Sequence, residues 1–242
     1  MLGSYGIAFV LVRPACVGAL GLSESSQLGL FKMLDLPTYF EAAIGFLLFD
    51  LTFYYWHAAN HKFGFLWRWH NIHHLDPDLD VTSSFRFHFV EVAYSTPMRV
   101  LQVLFIGAEP LTFFTFELVF QCATFFHHSN VRIPIALERV LNIVFVTPRM
   151  HGIHHSQVRE ETDSNYSVIF SFWDRWHKSF VANVPVKYLE IGVPAYSNQV
   201  DNQILKVLSL PFVKQRDYWL KENRHVVRDP SQIGSRTEIL AE

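Results

Sequence analysis

The sequence predicts an all-α, integral-membrane helical bundle with a cytosolic-facing helical cap that carries a histidine-rich site for two metal ions. Three observations support this fold class. Half of the 242 residues are hydrophobic and only 17% are charged, below the usual share of about 25%. Several apolar stretches approach the roughly 20 residues that a membrane-spanning helix needs. Ten of the thirteen histidines fall into short clusters.

Charge and cysteine content narrow the class of protein. The chain has 20 Lys and Arg against 22 Asp and Glu, a formal net charge of −2. This balance provides no basic surface for nucleic acid, so we expect no nucleic-acid partner. Cys16 and Cys122 make no disulfide framework, and two thiols cannot ligate a zinc finger or an iron–sulfur cluster. We expect both to be free.

The length fits one unit, which we divide into three parts. Residues 1–35 form an N-terminal apolar segment, 36–180 the histidine-bearing membrane domain, and 181–242 a C-terminal cap and polar tail. Residues 5–22 are apolar but contain Arg13-Pro14, so they predict a broken span or the remains of a longer N-terminus. The last part predicts a membrane-edge cap followed by a frayed tail.

Residues 36–56 predict a transmembrane helix, because they are apolar over the length of a hydrocarbon core and end in aromatic residues. Asp50 lies seven residues before His57, two helical turns along the same stripe. Its carboxylate could orient a ligand histidine or bond to a neighbouring helix. We do not expect it to be a metal ligand.

Residues 89–107 and 111–126 predict a helical hairpin, because the Ala108-Glu109-Pro110 link between them has the chemistry of a tight turn. Pro97 and Arg99 should interrupt the first arm, so that the hairpin is shallow or re-entrant. A helical hairpin enters and leaves the membrane on the same side. The residues after 126 therefore return to the side of the membrane on which the earlier histidines lie.

The basic residues predict on which side of the membrane the histidines lie. Seven lie in the stretches that flank or carry the histidines: Lys62, Arg68, Arg86, Arg132, Arg139, Arg149 and Arg159. Cytoplasmic loops carry an excess of Lys and Arg, so we expect a multi-pass membrane protein with its histidine site on the cytoplasmic side. The sequence does not indicate which membrane.

The histidine spacing predicts metal binding. The chain contains one HxxxH pair, two HxxHH triplets and one doublet: His57 and His61; His70, His73 and His74; His151, His154 and His155; and His127-His128. A helix places residues three and four positions apart on one face, so each cluster can aim its imidazoles at one point. One metal rarely takes more than six donors, so nine or ten histidines indicate two metals.

Further motifs give the chain a resemblance to the fatty acid hydroxylase superfamily, the membrane histidine-box di-iron family that includes sterol desaturases. It covers residues 36–180. The motifs are Phe85-Arg86-Phe87-His88 with Glu91, His128-Ser129-Asn130, Thr162-Asp163-Ser164-Asn165-Tyr166 and Trp173-Asp174-Arg175. Phe89, His127 and Lys178 depart from the family pattern without removing a histidine of the three boxes. The place of His128 in its motif favours it over His127 as the ligand.

The resemblance implies an O2-dependent enzyme that hydroxylates an unactivated C–H bond of a lipid, either a fatty acyl chain or a sterol. A desaturase on the same site is the alternative. It implies two iron ions, with zinc as a possible substitute, held by the residues that are both metal-binding and catalytic: His57, His61, His70, His73, His74, His128, His151, His154 and His155. The chain has no GxGxxG motif and too few cysteines for a cluster, so an external donor, cytochrome b5 or a ferredoxin-like protein, should supply the electrons.

Three other classes use the same residues differently. A membrane metal-binding or transport protein would bind zinc without consuming O2. A zinc hydrolase would work without a reductant, but no cluster has the H-E-x-x-H pattern, since Ala58, Asn71 and Gly152 follow the leading histidines. A structural protein with a relic site would keep its fold without the histidines. His88 matches a family position but could equally stabilise the fold, and we expect no metal role for His177 and His225.

Overall fold

The computed structural model describes residues 6–34 and 36–233, and most of these residues are helical, which confirms the helical part of the predicted fold class. In that part of the chain the α-helices are α1 (Arg13–Ser26), α2 (Thr38–Lys62), α3 (Gly64–His74), α4 (Phe89–Ile106), α5 (Pro110–His127), α6 (Ile135–Leu141), α7 (Pro148–His154), α8 (Arg159–Thr162), α9 (Phe172–His177) and α10 (Ile204–Ser209). Two short strands, β1 (Leu220–Lys221) and β2 (Arg224–His225), pair antiparallel.

The N-terminal helix is continuous, which corrects the expectation of a break at Arg13-Pro14. A π-helical turn, Ala8–Val12, leads directly into α1, whose first residues are Arg13 and Pro14. The Arg13 guanidinium lies 5.5 Å from the centre of the Phe9 ring. Tyr5, the start of the predicted stretch, lies outside the described residues.

The helix predicted at 36–56 extends to Lys62, and so α2 carries the first histidine pair on its last two turns. The chain then bends at Phe63, whose extended backbone separates α2 from α3. This corner turns the histidines of α3 back towards those of α2.

The helical hairpin is confirmed as α4 and α5. Gly107 ends α4 with a φ of +66°, and Pro110 occupies the first turn of α5. Gly107 faces Gly29 (φ +124°) so closely that a Cβ on Gly29 would lie 2.4 Å from the Gly107 Cα. Only glycine fits both positions, and their contact holds the hairpin turn against the segment that follows α1.

Pro97 and Arg99 do not interrupt α4, which corrects that expectation. Arg99 is buried but satisfied, because it donates hydrogen bonds to Gln102 and Glu117. Its guanidinium also lies within 6 Å of the ring centres of Phe53, Phe113 and Phe116. A charge paired and stacked in this way is compatible with an unbroken apolar helix.

Among the described residues two helical stretches are long and apolar enough to cross a membrane, Ala8–Lys32 and Phe89–Ile106. The predicted span at 36–56 is helical but is not one of them, because Glu41, Asp50 and several tyrosines reduce its apolar character. The two stretches suggest membrane association.

Three apolar clusters form the core. The largest joins α1, α2, α4 and α5 through Leu20, Phe49, Val103 and Phe116. The second packs the C-terminal part of the described chain against Trp67 of α3, and the third surrounds Tyr54, Tyr166 and Trp173. Residues 234–242 of the predicted polar tail lie outside the described residues, and the three-part division stays a prediction.

Two of the basic residues expected to face the cytoplasm are instead buried in ion pairs. Arg86 pairs with Asp76 at 3.3 Å, and Arg149 pairs with Glu138 at 3.0 Å. Because their charges are neutralised inside the protein, these two arginines provide no evidence about which side of the membrane the histidines face.

Candidate metal centre

Four segments bring the clustered histidines together at one end of the helices. They are the last turns of α2, the length of α3, the C-terminal end of α5, and α7. Thr147 fixes the start of α7, because its hydroxyl accepts a hydrogen bond from the backbone N–H of Met150. The next residue, Pro148, occupies the first turn, where a proline is favoured. This short capped helix presents the second HxxHH triplet to the first.

Eight histidines form two buried groups that could each hold a metal ion. The first histidine group is His57, His61, His74 and His154, and the second is His73, His128, His151 and His155. In each group one nitrogen from every ring lies within 4.8 Å of the others. All eight residues are between 0 and 8% exposed.

The two groups adjoin each other. The rings of His74 and His155, one from each group, stack with their centres 4.2 Å apart. Each HxxHH triplet contributes to both groups, since α3 supplies His73 and His74 while α7 supplies His151 and His154. Any two ions held here would therefore be neighbours.

Backbone carbonyls fix the tautomers of three of these histidines. The Nδ1–H of His57 donates to the Tyr166 carbonyl at 2.7 Å, that of His154 to Ser164 at 2.6 Å, and that of His128 to Thr124 at 2.8 Å. A carbonyl oxygen only accepts, so Nδ1 must carry the hydrogen, and a neutral ring then has a bare lone pair on Nε2.

Two of these lone pairs face each other. The Nε2 atoms of His57 and His154 are 3.1 Å apart, and both rings carry their hydrogen on Nδ1. Two acceptors at this distance repel unless a proton or a cation lies between them. Burial lowers the pKa of His57 to about 3 and that of His154 well below the usual value, so a cation is favoured.

Unpaired nitrogens also indicate that the site fits metal ions. Both ring nitrogens of His61 and both of His74 are buried without a hydrogen-bond partner. A buried polar atom without a partner costs about 1–3 kcal/mol, so four of them together would be a large penalty. A metal ion would satisfy one nitrogen on each ring, and neutral imidazole is a common ligand of iron, zinc and copper.

His70 lies beside the first group although it is not one of its four members. Its ring centre is 5.0–5.2 Å from those of His57, His61 and His74. Its Nδ1–H donates to Oε1 of Glu91 at 2.7 Å, and its Nε2 is buried without a partner. All nine predicted ligands are thus in or next to the two groups.

The two histidines of the His127-His128 doublet lie in different environments. His128 belongs to the second group, whereas His127 hydrogen-bonds to the backbone of Val168, and its ring centre lies 4.0 Å from that of His151. His88 caps the first turn of α4, and its other nitrogen lies 3.2 Å from the Leu208 carbonyl. His177 bridges Tyr55 and the Trp173 carbonyl. None of these three is in a histidine group.

A loop after α8 positions the histidines, and sequence reasoning only partly identified the residues that hold it. Its carbonyls at Ser164 and Tyr166 are the acceptors for His154 and His57. Asn165, with a φ of +51°, donates to the Met150 carbonyl and receives the Val181 N–H. In the sequence, the motif that contains Ser164, Asn165 and Tyr166 indicated that these residues matter. Their roles were not predictable, because their hydrogen-bond partners are distant in the chain.

Two buried carboxylates anchor the same loop. Asp174 accepts the backbone N–H groups of Tyr166 and Ser167 at 2.8 and 3.0 Å. Asp50 accepts the indole N–H of Trp173 at 2.9 Å and two backbone N–H groups of residues 169 and 170. Asp50 therefore bonds to a neighbouring segment, one of its two expected roles, and no histidine contacts its carboxylate in the described chain.

One cavity lies away from the histidines. It is a mostly apolar groove of about 470 Å³ between α2 and α4, lined by Thr52, Tyr55, Trp56, Ala59, Met98, Leu101, Gln102 and Phe105. On α2 these residues occupy the helix face opposite His57 and His61.

The fold and the site together define a helical chain with two adjoining, buried histidine groups suited to metal ions. The chain belongs to the fatty acid hydroxylase family, whose model matches residues 42–179. This match confirms the resemblance seen in the histidine boxes and the motifs that follow them.

Several relatives carry lipid-modifying names. The chain is 27% identical over 179 residues to an ornithine lipid hydroxylase of Rhizobium tropici, covering 74% of this chain and 52% of that protein. It is 28% identical to an alkylglycerol monooxygenase of Caenorhabditis elegans, covering 63% and 30%, and 29% identical to a cholesterol 25-hydroxylase of Mus musculus, covering 53% and 43%. The chain spans about half the length of these curated relatives or less. No solved structure matches.

Proposed function

We propose that this protein is a membrane-embedded di-iron oxygenase that hydroxylates an unactivated C–H bond of a lipid, using O2 and electrons from an external carrier. The observation that carries the proposal is the pair of adjoining, buried histidine groups at one end of apolar helices. Family membership supports the same chemistry, since the relatives described above are hydroxylases and monooxygenases.

The nine histidines would hold two iron ions: His57, His61, His70, His73, His74, His128, His151, His154 and His155. When bound, the ions would supply the activation of O2 that removal of hydrogen from an unactivated carbon requires. The chain's own contribution is to keep the imidazoles neutral, to aim their lone pairs inward through backbone carbonyls, and to exclude water by burial. Zinc could replace iron, because neutral imidazole binds both.

The substrate class follows from the relatives and the surroundings of the site. The relatives are named for an ornithine lipid, an alkylglycerol and cholesterol, which have different head groups but are all lipids. The apolar helices offer few polar groups that could recognise a water-soluble substrate. We therefore infer a fatty acyl chain or a sterol that enters from the bilayer.

We place the histidine groups on the cytoplasmic side of a multi-pass protein, with the C-terminal segment at the membrane edge. Two contacts support this cap. The Leu208 carbonyl lies next to His88 at the first turn of α4, and Phe212 packs on Trp69. The outer side chains of the cap are apolar, since Leu205 is 78% exposed and Phe212 is 65% exposed. Such residues are typical of an element that lies in the interfacial layer.

The electrons would come from another protein. The sequence contains no dinucleotide-binding glycine motif, and its two cysteines are too few for an iron–sulfur cluster. A one-electron carrier such as cytochrome b5 or a ferredoxin-like protein would meet this need at the cytoplasmic face.

Metal analysis and lipid mass spectrometry test the proposal. Purified protein should contain two iron ions per chain, and cells that express it under ¹⁸O2 should accumulate a lipid that has gained one ¹⁸O atom. The His154→Ala variant should lack the product, whereas His225→Ala, an exposed strand residue, should retain it. Loss of two hydrogens without added oxygen would indicate a desaturase, and a product formed without O2 would refute the oxygenase proposal.

A further inference from the structure

Glu91 makes a contact with the histidine groups that no other described carboxylate makes. Within residues 6–34 and 36–233 it is the one Asp or Glu for which a hydrogen bond to any of the nine histidines is seen. The Nδ1–H of His70 donates to its Oε1 at 2.7 Å, and the side chains are only 4% and 6% exposed. The pair joins the middle of α3 to the first turn of α4.

The remaining atoms of this pair have no protein partner. The second oxygen of Glu91, Oε2, is buried and unpaired, and so is the Nε2 of His70. Because the carboxylate accepts the hydrogen on Nδ1, the Nε2 atom has a free lone pair. The rings around His70 belong mainly to the first group, at 5.0–5.2 Å between centres, while the one near ring of the second group, His73, is 5.5 Å away.

We propose that His70 is the fifth nitrogen donor of the first histidine group, and that Glu91, as a positioning residue behind it, makes the two ion sites unequal. The first site then has five imidazoles, one of them backed by a carboxylate. The second has four, and none of its members hydrogen-bonds to a carboxylate among the described residues. This inference rests on the metal centre of the proposed function, but not on the substrate or on the reaction.

The inequality has a physical basis. A carboxylate that accepts the second N–H of an imidazole fixes the orientation of the ring and makes its free nitrogen a stronger donor. Its negative charge also offsets part of the charge of the ion in a site where water does not screen it. Both effects act on the first site, so the first site should bind a divalent cation more tightly than the second.

Cobalt titration of the purified full chain tests the inference without relying on turnover. Co²⁺ binding is followed by its visible absorption, and bound ions are counted after equilibrium dialysis. Wild type should bind two ions with distinct affinities. Glu91→Gln keeps the shape of the side chain but removes its charge, and it should weaken the tighter site by about 10- to 100-fold while the weaker site is unchanged.

Glu138→Gln is the matched control. Glu138 is also a buried carboxylate, 4% exposed, but it accepts hydrogen bonds from Thr147 and Arg149 rather than from a histidine. Its replacement should lower the stability of the protein without changing either cobalt affinity. If both Gln variants weaken both sites alike, Glu91 has only a structural role and the inference is refuted.

His70→Ala keeps the inference testable if Glu91→Gln does not fold. This variant should convert the tighter site into a weaker one and leave the other site unchanged. Where both single variants fold, Glu91→Gln should have no further effect on cobalt affinity in the His70→Ala background. Two equal sites in wild type, or equal losses from Glu91→Gln with and without His70, would overturn the inference. Unequal sites without any lipid hydroxylation would refute the proposed function and leave this inference standing.

Discussion

Acid should unfold the metal-free protein steeply, because its histidines are buried in the neutral state. His57 has a folded-state pKa of about 3 and His128 one of about 4, both lowered first by burial. In the unfolded chain each would titrate near 6.5. Below that pH the unfolded state binds protons that the folded state does not, so stability is unaffected above pH 6.5 and falls as the pH drops towards 4.

The size of the effect follows from linkage. Each extra proton on the unfolded chain costs about 1.36 kcal/mol of stability per pH unit, so these two histidines alone contribute about 2.5 kcal/mol per unit near pH 5.5. The other members of the two groups also have lowered pKa values, which steepens the slope further. Since domains are stable by only about 5–15 kcal/mol, the stripped protein should unfold between roughly pH 6 and 5.

A denaturant titration in non-ionic detergent, followed by fluorescence of the six tryptophans, measures this slope. The free energy of unfolding of chelator-treated protein is determined from pH 8 to 5. Added metal should shift the loss of folding stability to lower pH, because protons then compete with the metal ion for the same ring nitrogens. The slope of the unfolding free energy against pH gives the number of protons taken up on unfolding. A value below one proton near pH 5.5, or equal slopes with and without metal, would show that the imidazoles are not held neutral and buried.

Three substitutions test other parts of the structure. His128→Ala should reduce bound iron from two ions to about one, whereas His127→Ala should leave both, as measured by metal analysis of purified protein. Asp50→Ala leaves three buried N–H donors without an acceptor and should cost at least about 2–4 kcal/mol, read as a lower thermal unfolding midpoint. Gly107→Ala places a Cβ 2.8 Å from facing backbone at a positive φ and should also lower the midpoint, while Gly18→Ala, with open space around it, should not. An unchanged midpoint for Gly107→Ala would show that the two turns do not touch.

The elements that were predictable from the sequence are those with local signals. The Ala108-Glu109-Pro110 link located the hairpin, and the three- and four-residue spacing of histidines located the site, because both depend on neighbours in the chain. The continuity of α4 was not predictable, since Arg99 is tolerated only through Glu117 and three aromatic rings from other helices. Arg86 and Arg149 were misassigned for the same reason, as their acidic partners are visible only in the fold.

The division of the histidines between two groups was also beyond the sequence. Adjacent residues of one triplet, His73 and His74, belong to different groups, because neighbouring positions on a helix point about 100° apart. Spacing alone shows that an HxxHH triplet can chelate, but it does not show that it supplies two sites. That assignment needs the positions of α5 and α7 relative to α3.

The orientation of the site depends on a chain of contacts that begins far from it. Asp50 and Asp174 hold the loop after α8 by its backbone N–H groups, and the loop in turn offers the carbonyls that fix the rings of His57 and His154. A change at Asp174 should therefore alter the geometry of the first histidine group without touching a ligand. This explains physically why the TDSNY and WDR motifs accompany the histidine boxes: they hold the loop whose carbonyls determine which ring nitrogen is free to bind.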